Sequence, residues 1–136
     1  MKSVIKIFAV LGVISLLAAC QSTEKNQSNS EEFPPRGHAH NDYEHHNPLL
    51  DALSYGFSSV EADIHLVNGA LLVAHDADQV QTEKTLEGLY LDPLLQRFRD
   101  NNGHILPSGQ PFILLVDIKT DAESTYRVLE GVLEKY

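Results

Sequence analysis

Two histidines and two acidic residues have the types and spacing of a site that combines acid-base chemistry with metal binding. They occur in three short segments: His40 in the Gly-His-Ala-His-Asn-Asp-Tyr segment, Glu61 and Asp63 in Val-Glu-Ala-Asp, and His75 in Ala-His-Asp. An imidazole gains and loses a proton near neutral pH. Carboxylates two residues apart on a strand point to one face, where they can hold a hard divalent cation. The pattern therefore predicts one site with both functions.

The size and charge of the chain limit what this site can serve. The chain has 136 residues and a formal net charge of -9. This length suits one small domain. Phosphate backbones are bound chiefly through clustered lysine and arginine, and no basic run occurs, so nucleic acid is excluded as a partner. The sequence gives no evidence of a protein partner.

The N-terminus has the pattern of a processing signal. Lysines at positions 2 and 6 are followed by an apolar stretch from Ile7 to Ala19, and Cys20 comes directly after Leu-Ala-Ala. This tetrapeptide resembles a bacterial lipobox. We therefore predict a lipoprotein signal peptide at 1–19, lipidation of Cys20 and a bacterial cell envelope location with lipid attachment to a membrane. An ordinary secretory signal or a short membrane anchor is the alternative.

The next segment separates this signal from the predicted domain. Residues 21–35 are rich in Ser, Asn, Gln and Glu and show no apolar periodicity, which is typical of a solvated linker. We predict a flexible tether at 20–35 and a folded domain at 36–136.

Strands and helices are predicted to alternate along that domain. Asn47 and Pro48 have the composition of a helix start, and 57–67 reads as a strand. Asn68-Gly69 is a hairpin turn signal, and the returning strand, 71–74, leads into His75.

The second half continues this alternation. A helix is predicted at 92–100, a buried strand at 112–116 and a final helix capped by Asp121 or Thr120. Asp117 and Lys119 follow the strand. Polar residues therefore collect at strand ends, as they do at the sites of α/β sheets and barrels.

A longer set of motifs occurs in order along the domain: His38 to Tyr43, Pro48-Leu49, Asp51 to Leu53, Gly56, Ser59 to Asp63, Leu71 to Asp76 and Thr85 to Leu94. This ordered set resembles the altered inheritance of mitochondria protein family, within the superfamily of phosphatidylinositol-specific phospholipase C and glycerophosphodiester phosphodiesterase. The resemblance implies a TIM (β/α)8 barrel. It also implies cleavage of a phosphodiester substrate.

The resemblance also implies roles for individual residues. The two catalytic histidines of the superfamily fall on His40 and His75, one taking and the other giving a proton. Its metal pair falls on Glu61 and Asp63, and Asp117 occupies the place of a third carboxylate. The implied cofactor is Mg²⁺ or Ca²⁺, which prefer oxygen ligands.

Two further residues are expected to bind the phosphate. Lys119 would help neutralise the charge on the phosphoryl oxygens. Relatives of the glycerophosphodiesterase branch have Arg-Gly after the first histidine, and this chain has Asn41-Asp42, so Asn41 would donate a hydrogen bond without arginine's charge. The remaining histidines are expected at the surface: His45, His46, His65 and His104.

Length limits the barrel that this chain can form. A complete (β/α)8 barrel takes roughly 250 residues. We therefore expect only the N-terminal portion of a phosphodiesterase barrel, with about three barrel strands, and no activity from this chain alone.

Two other functions remain open. His38 and His40 form the His-x-His pattern that binds zinc in metal-dependent amidohydrolases, although the later histidine cluster of those enzymes is not visible. A non-catalytic, lipid-anchored binding protein would keep the pocket and lack turnover.

Overall fold

The computed structural model describes residues 37–136. Its strands are β1 (His38–Ala39), β2 (Ser59–Val67), β3 (Ala70–Val73) and β4 (Ile113–Ile118). Its α-helices are α1 (Leu50–Ser54), α2 (Asp92–Asp100) and α3 (Ala122–Leu133). Short 3-10 turns at Asp42–Glu44 and Ala77–Gln79 and a π-helical turn at Glu87–Leu91 complete the order.

Strand β2 lies at the centre of a four-stranded sheet. Strand β4 pairs with it in parallel along one edge, and this register places Asp63 opposite Asp117. Along the other edge, β1 pairs in parallel with the start of β2, and β3 pairs antiparallel with its end. Every described strand therefore contacts β2, which carries the predicted Glu-x-Asp pair.

The hairpin between β2 and β3 confirms the turn predicted from the Asn-Gly pair. Asn68 and Gly69 have φ values of 50° and 84°. A two-residue turn with both central residues in this region matches the right-handed twist of the strands that it joins. The turn returns the chain alongside β2, and the backbone N–H of Ala74 donates to the carbonyl of Asp63 at 3.2 Å.

The two faces of β2 have different surroundings. Val60, Ala62 and Ile64 are fully buried in a core that also contains Leu129 and Val132 of α3. Since side chains alternate along a strand, Glu61 and Asp63 point to the opposite face. Helix α3 therefore packs against one face of β2, and Glu61 and Asp63 lie on the other face, where the candidate site is.

The prediction of a TIM barrel portion is wrong for the described residues, although the mixed α/β character holds. The sheet is open and mostly parallel, and it has four strands of two, nine, four and six residues. A closed barrel requires strands that are tilted and staggered until the last pairs with the first. Here β3 runs antiparallel, and no described strand pairs with the outer edge of β4.

Several element boundaries agree closely with the sequence patterns. Helix α2 occupies the predicted 92–100, and Asp121 caps α3 by accepting from the N–H of Ser124 at 3.0 Å. Helix α1 begins later than predicted, at Leu50, because the preceding Leu49 has φ 64° and is not helical.

The predicted signal peptide at 1–19, tether at 20–35 and lipidated Cys20 all lie outside the described residues. Across 37–136, no helix combines the length and the apolar character that crossing a bilayer requires.

Candidate functional site

Three carboxylates form the centre of the site. Glu61, Asp63 and Asp117 each offer an oxygen, and these oxygens all lie within 4.8 Å of one another. The parallel register of β2 and β4 brings the two aspartates side by side. Asp63 and Glu61 are buried, whereas the side chain of Asp117 is 46 % exposed. The group is thus open to solvent at Asp117.

The donor set fits a hard divalent cation. Mg²⁺ and Ca²⁺ prefer carboxylate oxygens, and all three ligand atoms here are of that kind. The Oδ1 atom of Asp63 is buried and has no hydrogen-bond partner among the described residues. A buried carboxylate oxygen is normally paired with a donor or a metal, because burying it unpaired is costly.

The other oxygen of Asp63 accepts three hydrogen bonds. The Tyr43 hydroxyl donates to Oδ2 at 2.8 Å, Lys119 Nζ donates at 2.9 Å and His75 Nδ1 lies 3.0 Å away. Burial of the carboxyl acts to raise its pKa, but the hydrogen bonds from these three side chains outweigh burial, so the pKa of Asp63 is lowered. Asp63 is therefore an anion although it is buried.

Lys119 joins the two aspartates. Its Nζ atom donates to Asp117 Oδ2 at 2.7 Å as well as to Asp63 Oδ2. Hydrogen bonds to Asp117 and then to Asp63 raise the pKa of Lys119 above its ordinary value. The ammonium group therefore stays charged and brings a positive charge to the edge of the acidic group.

The position of His75 determines which ring nitrogen faces outward. Because Nδ1 lies 3.0 Å from Asp63 Oδ2, we assign the proton to Nδ1, which donates to this carboxylate. The Nε2 atom then carries the free lone pair. The side chain is 44 % exposed, so this nitrogen can exchange protons with a bound molecule.

Tyr43 supports both Asp63 and His75. Its hydroxyl is nearer to Asp63 Oδ2, at 2.8 Å, than to His75 Nδ1, at 3.4 Å, so it donates to the carboxylate. Burial and the hydrogen bond to Asp63 raise the pKa of Tyr43. The hydroxyl therefore remains a donor at any physiological pH.

His40 and Asn41 reach Glu61 from the loop after β1. The His40 Nε2 atom lies 3.4 Å from Glu61 Oε2, and its side chain is 72 % exposed. The backbone N–H of Asn41 donates to the same oxygen at 3.4 Å. Asn41 has φ 48°, a left-handed conformation that asparagine tolerates better than most residues. The described contact of Asn41 uses its backbone rather than its side-chain amide.

His38 lies at the edge of this group. Its Nδ1 atom is 2.9 Å from Ser59 Oγ, and its Nε2 atom is 3.9 Å from Glu61 Oε2. Among residues 37–136, the group of side chains that could hold a metal contains carboxylates and no imidazole.

The sequence assigned no role to Asp42, which is completely buried. Its Oδ2 atom accepts from the backbone N–H of Leu49 at 2.5 Å and from the Tyr90 hydroxyl at 3.0 Å. This carboxylate holds the loop that carries His40. In the sequence, only the position of Asp42 within the His-Asn-Asp-Tyr motif could have indicated a role for this residue.

The surface position expected for His65 is wrong. This residue is 5 % exposed, and its Nε2 atom lies 3.1 Å from the carbonyl oxygen of Ala74. It lies on β2, on the same side as Asp63, and its ring also lies 3.4 Å from the carbonyl oxygen of His75.

The structure brings together every predicted catalytic, metal and phosphate residue that it describes: His40, Asn41, Glu61, Asp63, His75, Asp117 and Lys119. Their individual roles stay predictions.

Comparison with known proteins gives the family context. Residues 27–136 match the family model described as the AIM6-like phosphodiesterase domain. The chain is 35% identical over 113 residues to altered inheritance of mitochondria protein 6 of Eremothecium gossypii, covering 73% of this chain and 29% of that protein. It is 44% identical over 72 residues to the protein of that name from Kluyveromyces lactis, covering 51% and 17%. No solved structure matches the chain.

These matches confirm the family resemblance predicted from the motifs, and they cover about a third of the relatives' length or less. They contradict the predicted location in a bacterial cell envelope, because the relatives are proteins of yeasts and other fungi. That prediction depended on the apolar stretch from Ile7 to Ala19 and on the resemblance of Leu-Ala-Ala-Cys20 to a lipobox, a tetrapeptide too short to fix a compartment.

Proposed function

The chain belongs to the AIM6-like phosphodiesterase domain family, and from this premise we propose that it is a metal-dependent phosphoric diester hydrolase. The proposed substrates are glycerophosphodiesters or phospholipids. The environment of the Asp63 carboxylate is the observation that supports this proposal most strongly. Asp63 is a buried anion with three donors on one oxygen, while the other oxygen has no partner among the described residues.

Glu61, Asp63 and Asp117 are the proposed ligands of the metal, which we take to be Mg²⁺ or Ca²⁺ because all three donors are carboxylates. When bound, such an ion stabilises negative charge on phosphoryl oxygens. Lys119 lies within hydrogen-bonding distance of both aspartates and adds a second positive charge beside the same oxygens.

The two histidines are the proposed acid-base groups. His75 Nε2 is held outward by the contact of Nδ1 with Asp63, and His40 lies beside Glu61 at the other side of the acidic group. One imidazole takes the proton of the attacking hydroxyl, and the other gives a proton to the leaving oxygen. Each such group contributes about 10²- to 10⁴-fold to a rate. The Asn41 side chain is the proposed donor to a phosphoryl oxygen.

The amidohydrolase alternative has less support. It requires His38 and His40 to bind zinc together, but His38 contacts Ser59 through Nδ1 and the candidate ligand group in the described part of the chain consists of carboxylates. Zinc bound tightly by this chain and lost on His38→Ala would reverse this preference.

The test of the function follows hydrolysis of glycerophosphoethanolamine by ³¹P NMR, with the Eremothecium gossypii relative as the longer protein and this chain beside it. We expect Mg²⁺- or Ca²⁺-dependent hydrolysis by the relative, abolished when its residue aligned with Asp63 becomes Asn. This chain is expected to bind the metal and the product without turnover.

Hydrolysis that persists in excess EDTA, or in the aspartate variant, would reject the metal-dependent mechanism. Product binding by both proteins without any turnover would favour the non-catalytic binding protein.

A further inference from the structure

A polar cavity of about 400 Å³ adjoins the candidate site. Tyr43 and His75 line it, so it is continuous with the proposed acid-base group. Gln79, Gln81 and Lys84 also line it, and none of these has a role in the proposed cleavage. The cavity is thus placed to receive a part of the substrate next to the phosphodiester.

The segment that lines the cavity is held in place by its own hydrogen bonds. The Gln79 backbone N–H donates to the Asp76 carbonyl at 3.0 Å, and the Gln79 side-chain oxygen accepts from the Asp76 N–H at 3.2 Å. Since its oxygen is occupied, Gln79 presents the NH₂ group of its amide as a donor.

Lys84 is fixed in the same way through its backbone. Its carbonyl accepts from the Val73 N–H at 2.8 Å, and its N–H donates to the Gln81 carbonyl at 3.1 Å. These bonds anchor Lys84 beside the end of β3, close to where the chain reaches His75. The backbone of this part of the cavity wall is therefore held by hydrogen bonds to its neighbours.

The charges in the cavity favour an anion. Lys84 is half-buried and forms no ion pair with any residue in 37–136. Glu44, the acid that lines the cavity, is exposed, so water screens its charge more strongly than that of Lys84. A partly desolvated lysine without a partner binds an anion more strongly than a solvated one does.

We propose that this cavity binds an anionic substituent on the alcohol portion of the phosphodiester, and that Lys84 selects substrates carrying it. The substituent is a carboxylate or a second phosphate. The inference rests on the proposed function for the identity of the neighbouring group, and it adds a substrate class: diesters with an acidic head group.

The test compares two phosphate monoesters that differ by one carboxylate, O-phosphoserine and phosphoethanolamine, titrated into this chain with Mg²⁺ present and followed by ¹H-¹⁵N NMR. We expect phosphoserine to bind about tenfold more tightly, since a hydrogen bond between charged groups is worth about that factor. Lys84→Gln should remove the preference, and Lys84→Arg should keep most of it. Lys135→Gln, at an exposed lysine outside the cavity, is the matched control and should change nothing.

A second pair, 1,3-propanediol bisphosphate and 3-hydroxypropyl phosphate, tests a phosphate in the same position. A Lys84-dependent preference in either pair supports the proposal and identifies the bound group as a carboxylate or a phosphate. Equal affinities in both pairs, or a preference unchanged in Lys84→Gln, would overturn it. Failure of the longer relative to hydrolyse diesters, with the Lys84 preference intact, would reject the proposed catalysis and leave the anion site standing.

Discussion

At the scale of single residues, Asp63 shows how a buried charge can be retained. Moving a carboxylate out of water is costly unless hydrogen bonds replace the lost hydration. Tyr43, His75 and Lys119 supply those bonds, and all three reach the same oxygen. The second oxygen is therefore left for a further ligand, beside Glu61 and Asp117.

The Tyr43→Phe variant tests whether the hydrogen bonds to Asp63 affect metal binding. Tyr43→Phe removes the donor to Asp63 and the group next to His75. Loss of a hydrogen bond to a ligating side chain costs 10- to 100-fold in metal affinity, so we expect about a tenfold weaker affinity for Mg²⁺ by calorimetry. Tyr55→Phe is the matched control, because Tyr55 is 74 % exposed. Equal affinities in the two variants would show that Tyr43 does not position the ligand.

The Asp42→Ala variant tests whether the Asp42 carboxylate stabilises the loop that carries His40. Asp42→Ala leaves the Leu49 N–H and the Tyr90 hydroxyl buried without an acceptor, which should cost about 2 kcal/mol or more of the free energy of unfolding. Tyr90→Phe removes a single bond and leaves no unpaired donor, so it should cost about 1 kcal/mol. Urea unfolding measures both. A neutral Asp42→Ala variant would contradict the role given to this carboxylate.

At the scale of elements, local patterns were enough to predict the parts that depend on local geometry. Alternation around Glu61 and Asp63 indicated the strand β2, and Asn68-Gly69 indicated the turn that follows it. Asp121 marked the start of α3, because an aspartate side chain can accept from the first turn.

The sequence could not predict features set by contacts between distant residues. Helix α1 starts after Leu49 because the N–H of this residue is bound by Asp42, seven positions earlier, which fixes a positive φ. The three donors to Asp63 come from positions 43, 75 and 119, and only the pairing of the strands brings them together. The acidic pair could therefore be predicted, but its hydrogen-bond partners could not.

The cap of α3 gives a prediction about pH. Hydrogen bonds from the Ser124 hydroxyl and N–H lower the pKa of Asp121 in the folded protein. Its contribution to stability is therefore present above the ordinary pKa of aspartate and is lost as pH falls through the lowered value. Asp121→Ala should lower the thermal midpoint of unfolding at pH 7. The difference in midpoint between this variant and the parent protein should become smaller at acidic pH. Glu130→Ala, exposed on the same helix, should show little change at either pH.

A difference in thermal midpoint between Asp121→Ala and the parent protein that stays the same from pH 7 to acidic pH would contradict this role of the Asp121 carboxylate.

At the scale of the whole molecule, the sheet face that carries the candidate site also has exposed apolar side chains on β4. Ile113 and Leu115 are 59% and 47% exposed, and they share the face of Asp117, Glu61 and Asp63. Exposed apolar groups beside an unpaired strand edge favour association between molecules.

This exposed face predicts self-association of the chain. Replacing Ile113 and Leu115 by Thr puts a β-branched residue, which suits a strand, at both positions and removes apolar surface. Sedimentation velocity should show a concentration-dependent larger species for the parent chain and less of it for the double variant. Tyr126→Ala, which removes a 58% exposed side chain from α3, is the control and should associate like the parent. A parent chain that remains monomeric at all concentrations would contradict the prediction.

The carboxylates of β2 and β4 are the proposed divalent cation site, and calorimetric titration of Mg²⁺ and Ca²⁺ into this chain measures whether they bind an ion. We expect binding of one ion, weakened at least about tenfold in Asp63→Asn, since this variant removes the charge of a ligand, and unchanged in the exposed control Glu130→Gln. Absence of binding in the parent chain, or equal affinity in Asp63→Asn, would contradict the proposed site.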